Sequence, residues 1–214
     1  MSNIKQPFIG AWPFGRSRED QENFFGRDQE SRDLLSLIIA HEEVLLYSQS
    51  GAGKTSLLNA GIIPKLEQKG FEVLEVARVQ GSELPSGTDL KEANIYVFNV
   101  LRRWSDAAVD STSLVGLSIK EFLEKRKHES LRILIFDQFE ELFTFYPECW
   151  EKREDFFRQI GEALVSDKKL RVLFVMKEEY LASLDPYVNF LPEQLLTRYR
   201  LERLRKDSAR LAIE

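Results

Sequence analysis

The arrangement of apolar segments predicts an α/β fold: a parallel sheet with helices on both faces. Three observations carry this. Apolar runs of strand length alternate with amphipathic helical patterns along the chain. One such run, Val44-Leu45-Leu46-Tyr47, enters the glycine-rich loop Ser48-Gln49-Ser50-Gly51-Ala52-Gly53-Lys54-Thr55, which opens a helix. Another, Leu131 to Asp137, is the most apolar strand of the chain and ends on a carboxylate.

The first 25 residues are irregular and aromatic (Phe8, Trp12, Phe14, Phe24, Phe25), and Pro7, Gly10, Pro13 and Gly15 forbid a long helix there. They read as an arm that packs against something, and residues 1–27 are set apart from a main domain spanning 28–214. From Asp28 to Ala40, Leu34, Leu35, Ile38 and Ile39 share one helical face. Val44 to Ser48 is a buried strand, Lys54 to Leu66 a helix that stops near Gly70, and Phe71 to Val79 a second strand. Gln80 to Asp89 holds Gly81, Pro85 and Gly87 and is a loop. Ala93, Tyr96, Val97, Val100, Leu101 and Trp104 recur at helical spacing. Ser118 with Glu121 is a capping box opening a helix to about Lys127. After the Leu131 strand, Trp150, Phe156, Phe157, Ile160 and Leu164 form another helical stripe. Leu170 to Met176 is a strand, Tyr199 to Leu204 the last, and a helix begins near Asp207.

Composition bounds the function. The 214 residues are 43% hydrophobic and 30% charged, as in an ordinary folded domain. A net charge of −5 argues against nucleic acid as the main partner. No apolar stretch approaches the ~18 residues that span a bilayer, and the N-terminus lacks a signal-peptide pattern. The single cysteine, Cys149, reads as a buried or half-buried thiol and suits a reducing cytoplasm.

The loop carries the chemistry. Small residues at Ser50, Gly51, Ala52 and Gly53 let backbone N–H groups wrap a polyphosphate, and the following helix start adds unpaired donors. Lys54 would reach the β- and γ-phosphates; Thr55 would place its hydroxyl on Mg²⁺, and Ser56 follows on the same turn. Serine at position 48 replaces the usual first glycine and is small enough for the turn. The expected ligand is a nucleoside triphosphate, foremost ATP, with Mg²⁺. Asp137, at the carboxyl end of its strand, is the expected metal carboxylate. Glu140 and Glu141 follow it closely; either could polarise an attacking water, and both could equally be a solvated helix start. Lys177, at the end of the next strand, could sense the γ-phosphate or pair on the surface with Glu178 or Glu179.

Taken together, the motifs resemble the novel STAND NTPases, signal-transduction ATPases related to NACHT and AP-ATPase proteins. Asp137-Gln138-Phe139-Glu140-Glu141-Leu142-Phe143 is similar to that family's acidic motif, and Phe24-Phe25-Gly26-Arg27-Asp28 to its entry motif. Pro13-Phe14 resembles the segment upstream, and Gly51 through Pro64 the phosphate loop and its helix. The resemblance runs from about Pro7 to Ile213. It implies a five-stranded P-loop NTPase sheet in which another strand separates the phosphate-loop strand from the Asp137 strand. It assigns Mg²⁺ to Asp137, makes Glu140 the better catalytic candidate and Glu141 the second, and puts Phe25-Gly26-Arg27 near the adenine of ATP or ADP. The family usually has arginine where this chain has Lys177.

Members of that family generally continue into a winged-helix segment and sensor repeats, whereas this sequence ends at Glu214. The expected function is a slow ATPase module of a signalling or defence switch, working with other protein chains or with C-terminal domains, the chain being either a fragment of a larger switch or a stand-alone NTPase module. A nucleotide-binding interaction module without hydrolysis is the alternative. A P-loop kinase ranks lower, because no arginine-rich lid for a second phosphate substrate is legible.

Overall fold

A computed structural model describes residues 13–88, 93–126 and 128–204. Its strands are β1 (Glu43–Ser48), β2 (Glu72–Val73), β3 (Arg132–Phe136), β4 (Leu170–Lys177) and β5 (Arg198–Arg200). They form one five-stranded sheet in the order β2-β3-β4-β1-β5, with every pairing parallel. β4 thus lies between β1 and β3.

The alternation of side chains along each strand builds two cores. Leu45, Leu134, Phe136, Val172, Phe174 and Met176 point to one face. There they meet α5 (Ile95–Trp104), α6 (Ile119–Glu124) and α8 (Lys152–Ser166). The intervening residues Val44, Leu46, Ile133, Ile135, Leu173 and Val175 point to the other. That face is covered by α2 (Asp28–Ala40) and by the helical run after the loop. Because both faces are covered, the central strands are continuous apolar runs. Two short helices are also present: α1 (Arg18–Glu22) precedes α2, and α7 (Glu141–Thr144) follows β3.

Buried polar groups tie the edges. The Glu43 carboxylate accepts from the backbone N–H groups of Glu193 (2.8 Å) and Leu195 (3.1 Å), fixing the segment that leads into β5. Burial pushes its pKa up, and those two hydrogen bonds oppose the rise. The buried Arg132 donates to Glu72 Oε2 at 2.8 Å, linking β3 to the edge strand.

Several elements differ from the sequence reading. The helix expected from Lys54 to Leu66 is α3 (Lys54–Ser56), a π-helical stretch Leu57–Ile62 and α4 (Ile63–Gln68) in continuous succession. Pro64 has no N–H to donate one turn back, and the Ile63 N–H bonds the Leu58 carbonyl in the wider π register. The strand expected over 71–79 pairs only at Glu72–Val73 and at a bridge between Ala77 and Phe136. Its intervening carbonyls are taken by α5: Trp104 Nε1 donates to Glu75 O (3.0 Å) and Arg103 Nε to Val76 O (3.3 Å). Trp150 is 58% exposed and not on the α8 stripe, because α8 starts two residues later. The Ser118–Glu121 capping box is present with both bonds, and its helix stops at Glu124. The last strand shrinks to Arg198–Arg200. Phe8, Trp12, Lys127 and the helix near Asp207 lie outside the described residues.

Candidate nucleotide site

The carboxyl ends of β1 and β4 are level, Ser48 beside Lys177; β3 ends three residues earlier, Phe136 beside Phe174, and the chain runs on through Asp137 to Glu140, which reaches Lys177. The loop after β1, Asp137 after β3 and Lys177 therefore emerge at one edge of the sheet, where ligands of open parallel sheets bind. They line a cleft of about 600 Å³ together with Pro13, Ser50, Gln138 and Glu140.

The loop's backbone needs its glycines. Gly51 and Gly53 adopt φ of +76° and +92°, a region that side chains strain to enter. The buried Ser48, where a glycine was expected, has a use for its hydroxyl: Lys54 Nζ donates to Ser48 Oγ at 3.0 Å. Lys54 also lies 3.3 Å from the Ser48 carbonyl and 3.4 Å from that of Gln49. Its ammonium is folded against the loop it would serve. Burial lowers its pKa, opposed by the carboxylates of Glu140 and Asp137.

Thr55 Oγ1 donates to Asp137 Oδ2 at 2.9 Å. The other Asp137 oxygen accepts from the Gln138 N–H at 2.9 Å, a bond made where Gln138 turns to φ +54°. Burial raises the Asp137 pKa, and the Thr55 hydroxyl and Gln138 amide counter it. A hydroxyl and a carboxylate side by side fit a hard cation such as Mg²⁺, which takes few protein oxygens. Among the described residues no group of three or more His, Cys, Asp or Glu side chains could hold a metal.

The two glutamates part company. Glu140 lines the cleft, and its carboxylate is gripped by Lys177 twice: by the backbone N–H at 3.2 Å and by Nζ at 3.3 Å. Lys177 thus faces Glu140 and makes no ion pair with Glu178 or Glu179; Glu178 pairs with Arg200 at 3.1 Å instead. Glu141 turns away to Arg78, 3.6 Å distant, and its Oε2 is buried with no hydrogen-bond partner among the described residues. Burial raises the Glu141 pKa, with Arg78 opposing.

The arm braces the loop. The Phe14 N–H donates to Ser56 Oγ (3.2 Å), Asn59 Nδ2 donates to the Phe14 carbonyl (3.2 Å), and the Phe14 and Phe24 rings meet edge to face at 5.6 Å. The buried Arg27 donates to the Ala52 carbonyl at 2.9 Å and pairs with Glu30 at 2.6 Å. Gly26 has φ +78°, and Phe25 is half exposed. Arg27 therefore holds the loop from beneath.

The chain matches the family model Novel STAND NTPase 1 over residues 7–214. The chain belongs to the novel STAND NTPase 1 family. No curated protein sequence matches it. Among solved structures, a chain of the E. coli MS115-1 HORMA:CdnC:Trip13 complex is similar to this STAND chain. The likeness covers 91% of this chain and 69% of that one, at a TM-score of 0.54 and 15% identity, and is one of fold. Among the described residues of this STAND domain, no helix is long and apolar enough to cross a membrane.

Two features of this site escaped the sequence reading. Arg78 meets Glu141 across a gap of 63 residues, with no motif to announce it. A second cleft of about 410 Å³ flanks the loop, where Gln49 and Ala52 face Arg200 and Leu201. Its signal was the basic residues around the last strand, which carry no distinctive spacing.

Proposed function

We propose that this chain is the nucleotide module of a STAND-type switch, binding ATP with Mg²⁺ and hydrolysing it slowly. The observation that carries the reading is the Thr55–Asp137 pair at the mouth of a glycine-turned loop that also presents Lys54. Backbone N–H groups of Ser50 to Thr55 would cradle the phosphates, and Lys54 would leave Ser48 to neutralise their terminal charge. Mg²⁺, held by Thr55 and Asp137, would supply charge neutralisation on the phosphates. Glu140 would orient and deprotonate the attacking water; Lys177, already bound to it, would steady that carboxylate or move to the γ-phosphate. Glu141, engaged by Arg78 outside the cleft lining, is the weaker candidate. The exposed Phe25 ring and the Arg27 beneath Ala52 support a base site on the arm side of the loop. The preference for ATP, and the role in signalling or antiviral defence with partner chains, rest on the family.

A second reading, binding without turnover, is favoured by one detail: both Glu140 oxygens are engaged by Lys177, leaving the carboxylate less free to act as a base. Phosphate release from Mg·ATP with no added acceptor separates the two. Turnover that Glu140→Gln removes supports hydrolysis; tight ATP binding with no phosphate release supports the second reading. Absence of nucleotide binding overturns both.

A further inference from the structure

Beyond the loop, a third and larger cleft of about 880 Å³ opens between the end of β2, the last turn of α5 and the arm. Arg16, Arg78, Arg102 and Arg103 all line it, in a chain whose net charge is −5. The carboxylates lining it are Glu75 and Asp137. Arg103 is committed to Glu75 at 2.7 Å. The other three are weakly engaged. Arg78 stands 3.6 Å from Glu141, and Arg102 donates only a 3.4 Å bond to the Asp106 carbonyl. The Arg16 guanidinium makes no ion pair among the described residues. A further unmet need lies in the wall: Asn99 is 4% exposed, and its Oδ1 is buried with no donor among the described residues.

Thr55 and Asp137 line both this cleft and the loop cleft. They form the partition between the two, so the arginines sit across that partition from the loop. Guanidinium forks match phosphate oxygens in pairs, and clustered arginines are a recognition device for that group.

We propose that this cleft is a second anion site, taking a small phosphorylated ligand whose phosphoryl group is held by Arg16, Arg78 and Arg102. Asn99 Oδ1 would accept from a ligand hydroxyl. Because the site shares Asp137 and Thr55 with the loop, its occupancy is felt at the metal position. Arg78, drawn to the ligand, would loosen its hold on Glu141.

The test is equilibrium dialysis of the whole chain with radiolabelled inorganic phosphate, in Mg²⁺ and a saturating, separately labelled non-hydrolysable ATP analogue that fills the γ-phosphate position. Saturable phosphate binding is expected beside the analogue. Arg102→Gln and Arg16→Glu should each weaken it by about tenfold, the worth of one charge-assisted hydrogen bond. Lys120→Glu, which lines a different cleft, should leave it unchanged. Retained analogue binding in each variant shows the fold intact. Phosphate binding that is absent, or indifferent to both arginine variants, overturns this inference alone. A chain that holds phosphate through Arg102 but fails to hold the analogue keeps this inference and overturns the nucleotide reading.

Discussion

The Thr55 hydroxyl and the Asp137 carboxylate lie 2.9 Å apart although 82 residues separate them in the chain. The contact exists because β4 sets the spacing between β1 and β3, and all three strands run parallel, so the loop after β1 and Asp137 after β3 leave the sheet at the same edge. If the pair holds Mg²⁺, chelating the metal should weaken ATP binding to the wild type by at least about tenfold. Asp137→Ala should bind ATP with nearly the same affinity with and without Mg²⁺. Calorimetry in magnesium and in EDTA checks this, and an Mg²⁺ response surviving in Asp137→Ala removes the residue from the site.

The two adjacent glutamates should separate cleanly in kinetics. Glu140→Gln should keep ATP affinity and lower turnover by about a hundredfold or more, the usual scale of a lost general base. Glu141→Gln should lower it by far less, since Glu141 faces Arg78. Single-turnover rates decide; an inactive Glu141→Gln beside a normal Glu140→Gln would reverse the roles.

Much of the scaffold was legible because the central strands are buried on both faces and so spell unbroken apolar runs. The meeting of the loop and Asp137 at one edge of the sheet was legible because each directly follows an apolar strand. What remained hidden depends on long-range partners. The shortening of β2 is set by Trp104 and Arg103 capturing the carbonyls of Glu75 and Val76, which local alternation does not encode. The π register after Ser56 follows from Pro64 acting through the helix. The different partners of Glu140 and Glu141, Lys177 at the end of β4 and Arg78 in the segment after β2, come from distant parts of the chain. The four arginines beside Asp137 come from the arm, the end of β2 and α5, so no sequence window shows them as a cluster.

Gly161 lies inside α8, where alanine would ordinarily stabilise a helix by up to about 1 kcal/mol. Here a Cβ would fall on the backbone carbonyl of Phe190, with Leu191 Cα 3.8 Å away. Backbone cannot swing aside as a side chain does. Gly161→Ala should therefore destabilise the domain by about 1–3 kcal/mol, read from denaturant midpoints. A stabilised variant would show that α8 and the Phe190 segment are not in close contact.

Glu43 should leave a pH signature. Its folded-state pKa is raised above 4.5, so the folded chain binds the proton more tightly than the unfolded chain. Its contribution to stability is greatest while the carboxyl is protonated and declines as pH rises through the folded value. Glu43→Gln cannot ionise. It should gain on the wild type as pH increases from about the ordinary carboxylate range toward neutrality. Urea unfolding of both proteins across that range gives the difference, and a variant that loses ground as pH rises contradicts the assignment.

If the loop after β1 binds the phosphates of ATP through Lys54, titration calorimetry of Mg·ATP into wild type and Lys54→Ala will separate the two proteins. The wild type should bind, and the variant should bind at least tenfold more weakly, a loss of about 1.4 kcal/mol or more. Equal affinity in the two proteins would contradict that role for Lys54.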